Sequence, residues 1–129
     1  MLDNASVEKL ETHWYEGWNN GDIDVIMAPF GENVTFDSPW VPRLTGEPGR
    51  TTLEGLEAVR AYMADALQRI AGVRYTHDAT YVGTDGIVIV WTAHSPDGST
   101  IGGADTMRVG PDAKVFDWRS FYADDLATR

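Results

Sequence analysis

Three turn signals divide the second half of this chain into strands, and no other feature narrows the fold as much. Asp85-Gly86 encodes a tight hairpin turn. The runs 95-SPDGS-99 and 110-GPDAK-114 are turn-rich in the same sense. The runs between them alternate side chains across two faces, the period of a β-strand. Val73 to Val82 puts Val73, Tyr75, His77 and Ala79 on one face. Ile87 to His94 puts Ile87, Ile89, Trp91 and Ala93 together and turns His94 away. Ile101 to Val109 places Asp105 with Gly103, Met107 and Val109, opposite Ala104, Thr106 and Arg108. Val115 to Tyr122 alternates Val115, Asp117, Arg119 and Phe121 with Phe116, Trp118, Ser120 and Tyr122. Short turns between these runs imply antiparallel pairing.

The first half carries helical patterns. Asn4 or Ser6 can cap a helix in which Val7, Leu10, Trp14 and Trp18 form one apolar stripe. Gly21 ends it, and Asp22 caps a short second helix, Ile23 to Ala28. Asn33 to Ser38 reads as a strand with Val34, Phe36 and Ser38 on one face and Asp37 on the other, ended by Pro39. The stretch 41-VPRLTGEPGRTTLEG-55 reads as a loop, either a plain connector or a flap over a pocket mouth. Thr52 to Ile70 reads as a third helix, with Leu56, Val59, Tyr62, Met63, Ala66, Leu67 and Ile70 as its stripe and Gly72 past its end. The tail, 123-ADDLATR-129, is expected to fray. Three helices followed by hairpin-linked strands give an α+β fold, a cone-shaped, curved, mostly antiparallel sheet wrapped on helices with one open end lined by aromatics.

At 129 residues the chain reads as a single domain, 1–129, large enough for a core. With no cysteine it has neither a disulfide framework nor a thiol nucleophile. Its formal charge is −10 and its ten Lys and Arg are scattered, which argues against nucleic acid and anionic membranes as partners. No apolar run reaches membrane length and the N-terminus lacks a signal-peptide pattern, so a soluble cytoplasmic protein is expected. No histidine pair has metal-ligand spacing with a carboxylate, so neither metal nor other cofactor is expected.

Asp105 is the residue with the most chemical content. A carboxylate in mid-strand beside Met and Val is either solvated on an edge strand or desolvated in a pocket, where its pKa rises toward acid–base use. Trp14 and Trp18 are either core or the walls of such a pocket.

The run 18-WNNGDIDVIMAPFGENVTFDSP-39, then Gly55, Ala58, Val59, Arg60 and Tyr62, and the C-terminal hairpins resemble the nuclear transport factor 2-like superfamily, in its SnoaL-like and ketosteroid isomerase-like branch. The resemblance covers almost the whole chain. It implies that Asp105 matches the oxyanion-hole Asp of the isomerases, with Trp14 where they have a Tyr and Ser38 where they have the base. Against limonene epoxide hydrolase, the matching positions are Gly103, Asp105 and Ser120, in place of an Arg–Asp pair and a second Asp. Against the dehydratases of the superfamily, His77 resembles the acid–base His; if it faces inward with Tyr75 it can approach Asp105 across the sheet, and otherwise it is a structural or solvated His.

These readings converge on a cofactor-independent enzyme working beside a carbonyl of an apolar or aromatic small molecule, as an isomerase, dehydratase or cyclase. Asp105 and His77 are the candidate catalytic residues. Trp14, Trp18, Phe36, Ser38 and Tyr62, with Trp91, Met107, Trp118, Ser120 and Tyr122, are the candidate substrate contacts. The alternatives are a non-catalytic binding or dimerisation module and an epoxide hydrolase of the limonene epoxide hydrolase type. The resemblance also implies a homodimer through an outer sheet face that includes Val88, Val90, Thr92, Thr106 and Arg108.

Overall fold

The computed structural model describes residues 1–124; the part of the expected frayed tail from residue 125 onward lies outside the described residues. Helix α1, Asn4–Asn20, is capped by Asp3, one residue before Asn4 and three before Ser6. Asp3 is extended, and its carboxylate accepts from the Ser6 backbone N–H at 2.7 Å. Gly21 closes the helix in the left-handed region at φ 64°, as the sequence signals. Asp22 then caps α2, Ile23–Met27, by accepting from the backbone N–H groups of Asp24 and Val25. The sharp reversal presses Ile26 onto Gly17, where any side chain on α1 would intrude.

Strand β1, Phe30–Asp37, starts three residues before the expected strand. The stretch expected as a loop holds two elements instead. Val41–Thr45 forms a one-turn helix, α3, with Pro42 in its first turn and Gly46 left-handed after it. Thr52–Glu54 forms β2, antiparallel to β1. Helix α4 therefore spans Leu56–Arg69 and not the longer range from Thr52. The ladder with β1 claims Thr52 to Glu54, and Gly55 at φ 93° breaks the chain between strand and helix.

Strands β3 (Arg74–Val82), β4 (Gly86–His94), β5 (Thr100–Val109) and β6 (Val115–Tyr122) lie close to their expected bounds. The six strands form one sheet in the order β2-β1-β6-β5-β4-β3. The sequence reading missed one pairing: β1 runs parallel to β6. All other neighbours are antiparallel.

The strict alternation expected along β6 also fails. The β5 pairing shifts between Arg108 and Val109, so Val115 faces Val109 while Asp117 faces Arg108. The extra residue, Phe116, bulges outward, and Val115 and Trp118 are both buried. A second irregularity sits in β3 between His77 and Ala79.

Helices α1, α2 and α4 cover the concave face. Val34, Val59, Met63, Ile89, Met107, Val115 and Trp118 form the driest part of the core between them. No helix among the described residues is long and apolar enough to cross a membrane.

Gly17 makes the α1–α2 packing testable. A Cβ there would lie 2.6 Å from the Ile26 side chain and 2.9 Å from its backbone nitrogen. Gly17→Ala should gain about 1 kcal/mol of helix propensity and lose about 1–3 kcal/mol to overpacking. The expected result is a lower denaturant midpoint; a higher midpoint would contradict this close approach.

Candidate active site

The register of the sheet puts Asp105 at the centre of its concave face. On β5 it lies directly between Ile89 of β4 and Ser120 of β6. Trp91 and Trp118 stand two residues further along the neighbouring strands, on the same face, and Trp14 reaches down from α1. All three indole N–H groups donate to the one carboxylate. Trp14 and Trp118 reach Oδ2 at 2.9 and 2.8 Å, and Trp91 reaches Oδ1 at 3.1 Å. Asp105 is 2% exposed.

Gly103 makes this geometry possible. A Cβ at that position would overlap the six-membered ring of Trp91 and lie 2.6 Å from the Phe121 carbonyl oxygen. Without it, Trp91 can lie across β5 and turn its N–H toward Oδ1. The ring then stacks on Trp14, with centroids 5.8 Å apart and planes at 24°.

Two effects oppose each other at Asp105. Burial pushes its carboxyl pKa up, while the indole donors and the Ser120 side chain hold it down; burial prevails and the pKa is raised. The nearby phenols are pushed up as well. Burial takes Tyr62 and Tyr75 to about 12 and raises Tyr122 further. They are neutral hydrogen-bond donors at physiological pH.

A cavity of about 690 Å³ opens above Asp105. Asp105, Trp91, Trp118 and Ser120 belong to its buried end, with Trp14, Trp18 and Phe36 along its walls and Tyr62 and Tyr122 nearby. The Trp18 indole N–H is buried and has no hydrogen-bond partner among the described residues. Asp105 is the one carboxylate among the described residues that line this space.

The structure separates three of the expected site residues from the cavity. Ser38 is fully buried behind the wall, accepts from the Trp40 backbone N–H at 3.2 Å, and counteracts the rise in pKa of both Tyr62 and Tyr122. Met107 lies beyond Trp118 in the closed core with Leu10, Ile26 and Phe30.

His77 is the largest correction. It does not approach Asp105. Helix α1 lies along β3, with Asn19 bonded to the Tyr75 backbone and Glu11 to Thr80. Tyr75 therefore borders the cavity, and His77, two residues on, meets the outer flank of the helix. Its Nε2 is 2.7 Å from Thr80 Oγ1 and 3.5 Å from Glu11 Oε2, and its ring packs on Tyr15.

Asp37 points away from the cavity and accepts from Thr52 Oγ1 at 2.7 Å.

Sequence reasoning missed the mouth. Trp40, Arg43, Arg69 and Ile101 line the cavity and are also exposed to solvent. Trp40 precedes α3, and Arg43 sits on α3 inside the stretch expected as a loop. The signal that could have found them was Val41-Pro42, since Pro in a first turn favours a helix there.

The sequence matches the SnoaL-like domain family over residues 12–118. No curated protein matches it. Among solved structures, a SnoaL-like protein of unknown function from Burkholderia thailandensis is 26% identical, with TM-score 0.81 over 96% of this chain and all of that one. SalBIII, described as an epoxide hydrolase/cyclase-like enzyme in pyran ring formation in the polyether salinomycin, is 20% identical with TM-score 0.69, covering 95% of each chain. TerC, co-crystallised with polyporic acid, is 17% identical with TM-score 0.72 over 92% of this chain and 91% of that one. At the last two identities the likeness is one of fold. A SnoaL-like match across most of the chain, on helices followed by an open curved sheet, makes this protein a member of the SnoaL-like family, within the nuclear transport factor 2-like superfamily.

Proposed function

We propose that this protein is a cofactor-independent enzyme that moves a proton beside a carbonyl of an apolar, aromatic small molecule. The observation that carries the proposal is the buried carboxylate of Asp105 at the end of an aromatic-walled cavity. A raised pKa brings a carboxyl nearer the operating pH, where it can both take and return a proton. Oδ2 already accepts from two indoles and Oδ1 from one, so Oδ1 is the oxygen with capacity left for a substrate proton.

The reaction would begin with a C–H beside the carbonyl giving its proton to Asp105, while a neutral phenol, Tyr62, Tyr75 or Tyr122, donates a hydrogen bond to the developing enolate oxygen. Return of the proton at another carbon is an isomerisation. Delivery of it to a departing β-hydroxyl is a dehydration. Attack of the enolate carbon on a second carbonyl, with Asp105 returning its proton to the new alkoxide, closes a ring. His77, outside the cavity, has no part in this scheme.

A second reading has its own support. Three indole donors on one carboxylate also describe a structural knot, in which case the protein binds its ligand without chemistry. Epoxide opening of the limonene epoxide hydrolase type is less favoured, because Gly103 and Ser120 supply neither the Arg nor the second carboxylate.

Asp105→Asn separates the first two readings. The screen uses β,γ-unsaturated ketones, β-hydroxy ketones and epoxides, with ligand binding followed by tryptophan fluorescence. Turnover reduced roughly 10²–10⁴-fold with binding retained is the expected result. Ligand binding with no turnover by the wild type would favour the structural knot, and turnover that survives the substitution would remove Asp105 from the chemistry.

Stability against pH provides an independent check on the raised pKa. In the unfolded chain Asp105 titrates near 3.8, and in the folded protein higher. The folded state therefore holds this proton more tightly. The stability this provides is fully present below pH 3.8 and is lost as pH rises through the folded value. Asp105→Asn does not titrate there. The unfolding free energy of the wild type minus that of Asp105→Asn should thus fall as pH rises from about 4, then level off. A difference that grows with pH would mean that the indoles outweigh burial.

Assembly as a homodimer is proposed through the outer sheet face, where Tyr81, Val88 and Thr106 form one row and Val90, Ala104 and Phe121 another. Tyr81 is 65% and Phe121 50% exposed. Light scattering should give twice the chain mass for the wild type and a single chain mass for Tyr81→Lys combined with Phe121→Lys. A monomeric wild type would end this proposal.

A further inference from the structure

The charges lining the cavity are segregated by depth. Its buried end holds a carboxylate, and its mouth holds two guanidinium groups, Arg43 on α3 and Arg69 at the end of α4. This occurs in a chain whose formal charge is −10, so the general field of the protein does not favour anions.

Arg43 differs from most of the chain's arginines. Arg50, Arg60, Arg108 and Arg119 each hold a surface carboxylate away from the cavity. Arg43 makes no ion pair and no side-chain hydrogen bond among the described residues. Its guanidinium carbon lies over the Trp40 ring, 4.5 Å from the ring centroid. That contact orients the planar group and leaves its edge donors free, the arrangement suited to a bidentate carboxylate. Arg69 donates through Nε to Asp65 at 2.9 Å, which leaves its two terminal nitrogens. The Asp65 carboxylate partly offsets its charge, so Arg43 is the stronger of the two.

The geometry points to an amphipathic carboxylic acid as the ligand class, with its anionic head held by Arg43 and Arg69 at the mouth and its ring body reaching toward Asp105. This rests on the cavity being the ligand site, and it does not require turnover. The buried end enforces the orientation, since the Asp105 carboxylate repels a second one and the aromatic walls offer it no cation. A volume of about 690 Å³ suits a body of two or three rings. The acid head also places the opposite end of the molecule, where a reactive carbonyl would sit, beside Asp105.

The test is a calorimetric titration of the full chain with biphenyl-4-carboxylate and, separately, with biphenyl-4-carboxamide. The wild type should bind the acid about tenfold more tightly than the amide. That preference should shrink as salt is raised. Arg43→Met should bring the acid-to-amide ratio close to one, and Arg69→Met should lower it less. Equal binding of acid and amide by the wild type, or a preference that persists in the Arg43→Met/Arg69→Met double variant, would overturn the anionic-head assignment and leave the cavity as a binding site. Binding of neither probe would overturn the cavity reading along with it.

Discussion

Three neutral donors on one buried carboxylate are the contact on which the rest of this structure turns. Burying a charged carboxylate costs several kcal/mol unless its oxygens are satisfied. Here the satisfaction comes from indole N–H groups and not from a cation. The difference matters chemically. A guanidinium beside Asp105 would stabilise the ionised form strongly and lock it there. Neutral donors hold the group in place while leaving burial able to raise its pKa. The carboxylate is positioned but can still exchange a proton.

The same contact ties the fold together. Trp14 belongs to α1, Trp91 to β4 and Trp118 to β6, and all three bond to a residue of β5. The helix is therefore bolted to the sheet through a polar contact at the centre of an apolar face. The ring of Trp118 divides the concave side. Beyond it, Phe30, Met107 and Leu10 close into dry core; on the near side, α3 and α4 leave the cavity open. Gly103 and the outward bulge at Phe116 are the local concessions that let Trp91 lie across β5 and turn Trp118 inward on β6.

Segregation of charge along the cavity gives it a direction. An apolar tube alone would bind a flat ring system either way round. A carboxylate at one end and two guanidinium groups at the other distinguish the two orientations. The short helix α3 contributes to this, because it carries Arg43 and begins beside the Trp40 ring on which that guanidinium rests. The stretch with the least regular sequence thus supplies much of the mouth.

Much of this was legible in the sequence because it depends on local backbone geometry. The two-residue period of β5 put Asp105 on the face of Met107, and the helical period of α1 put Trp14 on its buried stripe. Turn chemistry bounded β4, β5 and β6 to within a residue. What the sequence left open depends on contacts between distant segments. Trp14 and Asp105 are 91 positions apart, and nothing in either neighbourhood encodes their meeting. The parallel pairing of β1 with β6, the claim of β2 on residues that otherwise read as helix, and the register shift that turns both Val115 and Trp118 inward all belong to the sheet as a whole. His77 shows the limit most plainly. Its strand and face followed from alternation, but whether that face met cavity or helix was decided by where α1 crossed β3. Periodicity assigns a side chain to a face; only the packing of other elements against that face decides what it touches.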